Sequence, residues 1–335
     1  MSRIATLPVR IAGTGLYVPD AVLTSAALEE RLGLEPGWIA RRTGIEERRI
    51  AAPDEAVSDL AVAAGRDALR TAGVSPADVV LVVLATSTPD HVLPPTAPAV
   101  AARLGLTAPA FDLAAACSGF LYGLVLAGHW LGGPAAHAGG AALVIGANIL
   151  SRRVNWRDRK TAPLFGDGAG AVVLRVAPGE RGGILGLHLS SDGTAWRDVF
   201  VSAGGSRAPM TVDALERGEQ FMTMPDGGQL FRRAVRALVH SGKEALRMAC
   251  LDARNLDWFV PHQAGSRLIR AGADGLGIPV ERVISNVARY GNTSAASIPM
   301  ALHEAVMTGR VRSGDLVLLG AVGGGLTAGA AVLRW

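Results

Sequence analysis

Short, nearly uninterrupted runs of β-branched and aliphatic residues mark the chain at intervals. They are VVLVVLAT (79–86), ALVIGAN (142–148) and AGAVVLRV (169–176), then LDWFV (256–260), LVLLGAV (316–322) and AGAAVLRW (328–335). Runs without alternation predict strands buried on both faces, and the stretches between them carry apolar residues at helical spacing. The runs also repeat in order. GVSPADVVLVVLAT (73–86) parallels CLDARNLDWFVPHQ (250–263), and the other two strand pairs follow, the last of each half just after a glycine-rich loop. Each half thus reads as helix, buried strand, second helix, strand, glycine loop and final strand. Such recurrence predicts a duplicated α/β fold. The expected halves are 1–178 and 179–335, joined by the turn chemistry of PGERGG (Pro178–Gly183), with cap loops around 190–230.

Within this frame CSGFLYGLVLAGHWLG (117–132) matches NTSAASIPMALHEAVMTG (292–309). Anchoring Gly146 on Gly320, an offset of 174, places Cys117 opposite Gly291 and beside Asn292. Cys117 and Asn292 are then expected to open the two central helices about a pseudo-twofold axis. His262 follows the strand LDWFV, at the end where open α/β sheets present ligands.

Composition narrows the class. The 335 residues are 49% hydrophobic but only 5% aromatic, with 42 glycines, which is ample for a large core built by close helix-on-sheet packing. Two distant cysteines do not make a disulfide framework, and a reducing cytoplasmic setting is expected. No apolar run is long enough for a signal peptide or a membrane span. The net charge of +4 favours an anionic partner, and basic residues gather in RRTGIEERR (41–49), SRRVNWRDRK (151–160) and at Arg232, Arg233 and Arg236. No nucleic-acid module is present. GDGAG (166–170) lacks the Gly-Lys-Ser/Thr ending of a phosphate loop, and GTGLYVP (13–19) puts Val18 and Pro19 where a dinucleotide fingerprint needs glycine and helix.

The candidate chemistry centres on AAACSGF (114–120). Taken alone, Cys117 is either a small buried residue or a nucleophile. A helix N-terminus favours thiolate, and Ala114, Ala115, Ala116, Ser118 and Gly119 leave room for a carbonyl. His262 and Asn292 can aim two polar groups at one developing oxyanion, although His262 could also be a core histidine and Asn292 a helix cap. Gly323–Gly325 lets the backbone come close. Cys250 and the other histidines, His91, His129, His137, His188, His240 and His303, read as packing residues.

AAACSGF, LFGDGAGAVVL, VPHQA, GNTSAAS and GGGLTAGAAVLRW, in this order, resemble the β-ketoacyl-acyl carrier protein synthase III family of the thiolase superfamily, over about Val9 to Trp335. The resemblance implies a thiolase-like five-layered αβαβα fold, a homodimer and a catalytic set of Cys117, His262 and Asn292. Cys117 would take an acyl group from acyl-CoA or an acyl-carrier protein, and malonyl-carrier protein would then be decarboxylated and condensed with it. Priming of polyketide or specialised fatty-acid synthesis is the expected setting. The Cys117 and Gly324 N–H groups would form the oxyanion hole. Trp38, Arg42, Arg159, Gly227, Phe231 and Gly265 fall at positions used for CoA and pantetheine, and Arg232 and Arg267 at positions for carrier-protein docking. Neither a metal nor a permanently bound cofactor is implied.

Four departures accompany the matches. Leu93 and Val322 stand where the family often has phenylalanine near the acyl pocket, Gly265 replaces the asparagine of HQAN, and Asp274 and Gly275 replace two docking lysines. They keep an alternative open, in which His262 serves as general base and Cys117 passes its acyl group to a hydroxyl, amine or carrier without loss of carbon dioxide.

Overall fold

The computed structural model describes residues 7, 9–133, 139–176 and 183–335. The first half contributes β1 (Val9–Tyr17), β2 (Val79–Ala85), β3 (Ala110–Leu113), β4 (Ala141–Ile149) and β5 (Asp167–Val176), in spatial order β1-β5-β4-β2-β3. The second contributes β6 (Gly183–Ser191), β7 (Trp258–Pro261), β8 (Leu316–Gly323) and β9 (Thr327–Arg334), in order β6-β9-β8-β7. Strand directions match as well: the first two pairings of each sheet are antiparallel and the next is parallel. The counterpart of β3 is reduced to one parallel bridge, Phe259 to Val283.

The helices that bear on the site are α1 (Val57–Ala72), α2 (Gly119–Gly132), α3 (Gly227–Ala249), α4 (Ser266–Leu276) and α5 (Ser297–Met307). α1 covers the outer face of the first sheet, and α3, with α4 beside it, covers that of the second. α2 and α5 lie between the sheets. Their sequences explain the difference. α3 buries one stripe, including Ala234, Leu238 and Ala245, and leaves Arg236 and Arg247 exposed. α2 carries no Asp, Glu, Lys or Arg, and a helix apolar all round belongs in an interior. Phe120 and Leu124 of α2, Ile298 and Leu302 of α5, Val144 of β4 and Leu319 of β8 form one core between the sheets. The layers are therefore α, β, α, β, α.

The pseudo-twofold relation differs in one detail from the sequence alignment. Each central helix is preceded by a single 3₁₀ turn, 116–118 or 294–296, whose first residue has positive φ: Ala116 at 47° and Ser294 at 53°. Ala116 is therefore the counterpart of Ser294, and Cys117 of Ala295 rather than Gly291. The offset at the turns is 178, not 174. α2 has 14 residues and α5 only 11, so an alignment anchored on strand glycines slips before it reaches the turns.

The junction expected at Pro178–Gly183 lies, apart from Gly183, outside the described residues, as does His137. Between β6 and α3, residues 192–226 form a cap with a short helix, Val212–Glu216, and a two-stranded ribbon pairing Phe200–Val201 with Met222–Thr223. No helix among the described residues is long and apolar enough to cross a membrane.

Candidate active site

Loops at the carboxyl ends of the parallel strands and the cap enclose a cavity of about 800 Å³, lined by Cys117, His262 and Asn292 among others. Three distant segments deliver these side chains, each tied down by backbone hydrogen bonds. The Cys117 turn is held against the second sheet, where Ser118 Oγ donates to the Thr327 carbonyl at 3.0 Å and Thr327 Oγ donates to the Ala115 carbonyl at 2.9 Å. Gly323 makes this approach possible, since a Cβ there would lie 2.5 Å from the Cys117 nitrogen. Neither the Cys117 nor the Gly324 N–H donates to a backbone carbonyl among the described residues.

Asn292 is held by its backbone, donating to the Leu164 carbonyl at 2.8 Å and accepting from Gly166 N–H at 3.1 Å. Its Oδ1 accepts from the Ser294 N–H at 2.8 Å and so caps the 294–296 turn. The amide nitrogen has no protein partner among the described residues and is left for the cavity. The fully buried Arg48 braces the same strip, its Nη2 donating to the Pro163 carbonyl at 2.9 Å. Arg48 is thus an internal strut, although it belongs to one of the basic clusters that suggested an anionic partner.

His262 extends from the end of β7, its N–H donating to the Gly320 carbonyl at 2.7 Å. The ring is 1% exposed, and its Nδ1 lies 2.7 Å from Ser297 Oγ. Burial holds its pKa down at about 3, so the imidazole is neutral near pH 7. Folded and unfolded chains then bind protons differently. Below the unfolded value of about 6.5, the unfolded chain gains a proton that the folded chain refuses until about pH 3. The stability tied to neutral His262 is fully present above pH 6.5 and is lost as pH falls through this window. Between pH 7.5 and 5 the loss is about 2 kcal/mol. Urea unfolding at pH 7.5 and 5.0 is expected to show that extra loss in the wild type relative to His262→Asn; equal losses would contradict the buried neutral ring.

Burial also dominates at Cys117, pushing its thiol above the usual range despite opposing hydrogen bonds from Ser294 and its own backbone N–H. The cysteine expected to open a helix sits instead in a 3₁₀ turn two residues ahead of α2, where burial opposes the thiolate.

Ser294 is the contributor that sequence reasoning missed. Its Oγ donates to Cys117 Sγ at 3.4 Å, joining the cysteine turn to the asparagine turn. GNTSAAS contains it, but only the left-handed backbone of Ser294 turns that hydroxyl toward the sulfur. Ser294→Ala is expected to slow alkylation of Cys117 by iodoacetamide at pH 8 about tenfold, close to one hydrogen bond to a charged sulfur. An unchanged rate would remove Ser294 from the chemistry.

Of the other expected site residues, Arg42, Gly227, Phe231, Arg232, Gly265, Arg267, Val322 and Gly324 all line the cavity. The Arg267 guanidinium sits 5.6 Å from the Phe231 ring centre and that of Arg42 sits 4.5 Å from Trp38, which puts Trp38 just beyond the rim. Gly265 has φ 144°, a conformation side-chain-bearing residues rarely adopt. Arg159 is drawn away: its guanidinium donates to the Leu32 carbonyl at 2.7 and 3.1 Å and does not line the cavity. Leu93 is the larger correction. It is 83% exposed and outside the cavity of its own chain. Asp112 on β3 accepts from Thr96 and Ala97 N–H at 2.8 and 2.7 Å, fastening the end of that loop to the sheet edge. Asp167 of GDGAG is buried and accepts from Ala51 N–H, Ser151 N–H and Ser151 Oγ, so this motif is a brace.

The layered fold, with a cysteine, a histidine and an asparagine gathered at the strand ends, defines a thiolase-fold protein suited to acyl-thioester chemistry. The comparisons with known proteins narrow the class. The model for 3-oxoacyl-[acyl-carrier-protein (ACP)] synthase III matches residues 111–193, and that for its C-terminal part matches 246–335. A 3-oxopimeloyl-[acyl-carrier-protein] synthase of Rhodothermus marinus is 52% identical over 326 residues, 97% of this chain and 93% of the relative. A β-ketoacyl-[acyl-carrier-protein] synthase III of Roseiflexus sp. is 47% identical over 97% of this chain and 98% of its own. The crystal structure of the Aquifex aeolicus synthase III superposes with a TM-score of 0.88 at 41% identity, covering 98% of this chain and 100% of that one. The priming β-ketosynthase of the R1128 polyketide pathway gives 0.88 at 35% identity, covering 99% and 98%. The chain belongs to the β-ketoacyl-[acyl-carrier-protein] synthase III family.

Proposed function

We propose that the protein extends an acyl group held on Cys117 by decarboxylative condensation with malonyl-carrier protein. The observation that carries this reading is the convergence of Cys117, His262 and Asn292 on one cavity. The Cys117 sulfur attacks an acyl-CoA or acyl-carrier thioester, the carrier thiol leaves, and the thiol proton passes to the leaving sulfur or to water. The acyl oxygen sits between the Cys117 and Gly324 N–H groups. Malonyl thioester then enters, the bond to its carboxylate breaks, and carbon dioxide leaves. The electron pair collects on the thioester oxygen as an enolate, facing the His262 ring nitrogen and the Asn292 amide. The enolate carbon attacks the acyl carbonyl, the carbon–sulfur bond to Cys117 breaks, its sulfur takes up a proton from water, and the β-ketoacyl thioester departs.

Arg42 at the rim supports a contact to CoA phosphates, Gly227, Phe231 and Gly265 a pantetheine channel, and Arg232 and Arg267 the docking of an acidic carrier. Trp38, stacked under Arg42, supports a place for the adenine, whereas the carbonyl contacts of Arg159 count against one. A homodimer is part of the same reading. β3 is an edge strand, and the exposed Val92 and Leu93 stand on the loop fastened to it, which supports Leu93 closing the acyl pocket of a second subunit. Light scattering that finds a 34.5 kDa particle would remove this part.

The test is a panel of acyl-CoA donors with malonyl-carrier protein, followed by carbon dioxide release and intact mass, with Cys117→Ala as control. The 52% identical relative is named for a 3-oxopimeloyl thioester, a seven-carbon chain ending in carboxylate. Since malonyl adds two carbons, the panel includes the five-carbon dicarboxylic donor glutaryl-CoA beside short, branched and aromatic acyl-CoAs. Acyl transfer to an alcohol or amine without carbon dioxide release would replace condensation by the simple acyltransferase reading.

A further inference from the structure

We propose that Ser297 is a positioning residue that holds His262 in the tautomer with its proton on Nε2, committing the ring to donate a hydrogen bond into the cavity rather than to accept a proton there. The inference deepens the condensation reading and rests on it for its consequence in turnover, though not for the tautomer itself.

Ser297 opens α5 and, like His262, is 1% exposed. Two groups meet its oxygen: His262 Nδ1 at 2.7 Å, and the Gln263 N–H, which donates to it at 3.4 Å. Among the described residues no other acceptor lies within reach of the Ser297 hydroxyl proton. The two tautomers therefore differ sharply. With the proton on Nδ1, the Ser297 oxygen would face two donors while its own buried proton had no acceptor. With the proton on Nε2, the Ser297 hydroxyl donates to Nδ1, its oxygen accepts from Gln263, and every buried group is satisfied.

The backbone leaves little freedom to escape this choice. His262 is pinned by its N–H to the Gly320 carbonyl. The neighbouring Gln263 side chain donates to the Pro261 carbonyl at 2.6 Å and accepts from Ser285 Oγ and Asn286 N–H at 2.9 and 3.0 Å. With Nδ1 occupied, Nε2 is the nitrogen on the cavity side, where Asn292 presents its free amide. A ring already protonated on Nε2 stabilises an oxyanion by donation. It cannot take the proton of an incoming alcohol at that atom, which separates condensation from the acyltransferase alternative by one hydroxyl group.

Long-range ¹⁵N–¹H spectra of histidine-labelled protein at pH 7 read the tautomer without turnover. The expected pattern for His262, assigned with His262→Asn, is a protonated Nε2 and an unprotonated Nδ1. A proton on Nδ1 would overturn the proposal. Ser297→Ala is expected to mix the tautomers and to lower malonyl decarboxylation at least tenfold relative to acylation of Cys117, measured separately by intact mass. Ser297→Thr, which keeps the hydroxyl, is expected to restore both the spectrum and the ratio. Equal losses in the two half-reactions, or a wild-type spectrum in Ser297→Ala, would show that Ser297 only packs. If the wild type releases no carbon dioxide with any donor yet shows the Nε2–H pattern, the condensation reading fails and the tautomer assignment stands.

Discussion

His262→Ala is expected to retain an acylatable Cys117 but to decarboxylate malonyl-carrier protein at least 100-fold more slowly. The reason lies in where charge develops. In the proposed reaction, attack by Cys117 builds negative charge on the acyl oxygen at the Cys117 and Gly324 backbone, which the substitution does not touch. Loss of carbon dioxide would build charge on the malonyl thioester oxygen, on the side of the cavity that His262 and Asn292 line. Removing one donor from such a site raises the barrier by about 3 kcal/mol, or 10²–10³ in rate. Rapid-quench acylation followed by intact mass, set beside carbon dioxide release, separates the two steps. A variant that decarboxylates at the wild-type rate would take His262 out of the reaction.

Gly323→Ala is expected to strike the other half of the chemistry. The new Cβ would lie 2.5 Å from the Cys117 nitrogen and 3.1 Å from both the Ser118 nitrogen and the Ala116 Cβ, so the cysteine turn must move. That turn has little slack, because Ala116 already sits at φ 47° and Ser118 is tied to Thr327. A displacement of about 1 Å at a reacting group costs on the order of 10² in rate, and overpacking costs about 1–3 kcal/mol in stability. Acylation of Cys117 is therefore expected to fall about 100-fold, together with a lower urea midpoint. Wild-type acylation would mean that the close approach of β8 to the turn does not place the sulfur. Together the two variants divide the site into a loading side built on the cysteine turn and a condensing side built on His262 and Asn292.

Much of this arrangement was legible in the residues. Strands buried on both faces appear as unbroken β-branched runs, and their repetition exposed the duplication before any coordinates. Cys117, His262 and Asn292 each stand in a recognisable motif, and the small neighbours of Cys117 show why a carbonyl fits there. What escaped depends on quantities that a linear pattern does not carry. The equivalence of Cys117 with Ala295 turns on α2 and α5 differing in length. The roles of Ser294 and Ser297 turn on a positive φ and a helix start that bring their hydroxyls to Cys117 and His262. Arg48 stands in a basic cluster expected to meet an anionic partner and Arg159 at a position expected to meet CoA, yet one is buried and the other clasps the Leu32 carbonyl.

The sequence by itself determined the duplicated α/β layering and the three motifs that bring Cys117, His262 and Asn292 to one cavity, because hydrophobic periodicity and motif order are local and survive translation into structure. Only the tertiary structure decided the protonation of Cys117 and His262, the placement of Leu93 outside its own cavity, and the hydroxyl groups that orient the site. Those properties come from desolvation and from hydrogen bonds between residues as far apart as Ser294 and Cys117. Neither exists until the two sheets close on the helices between them.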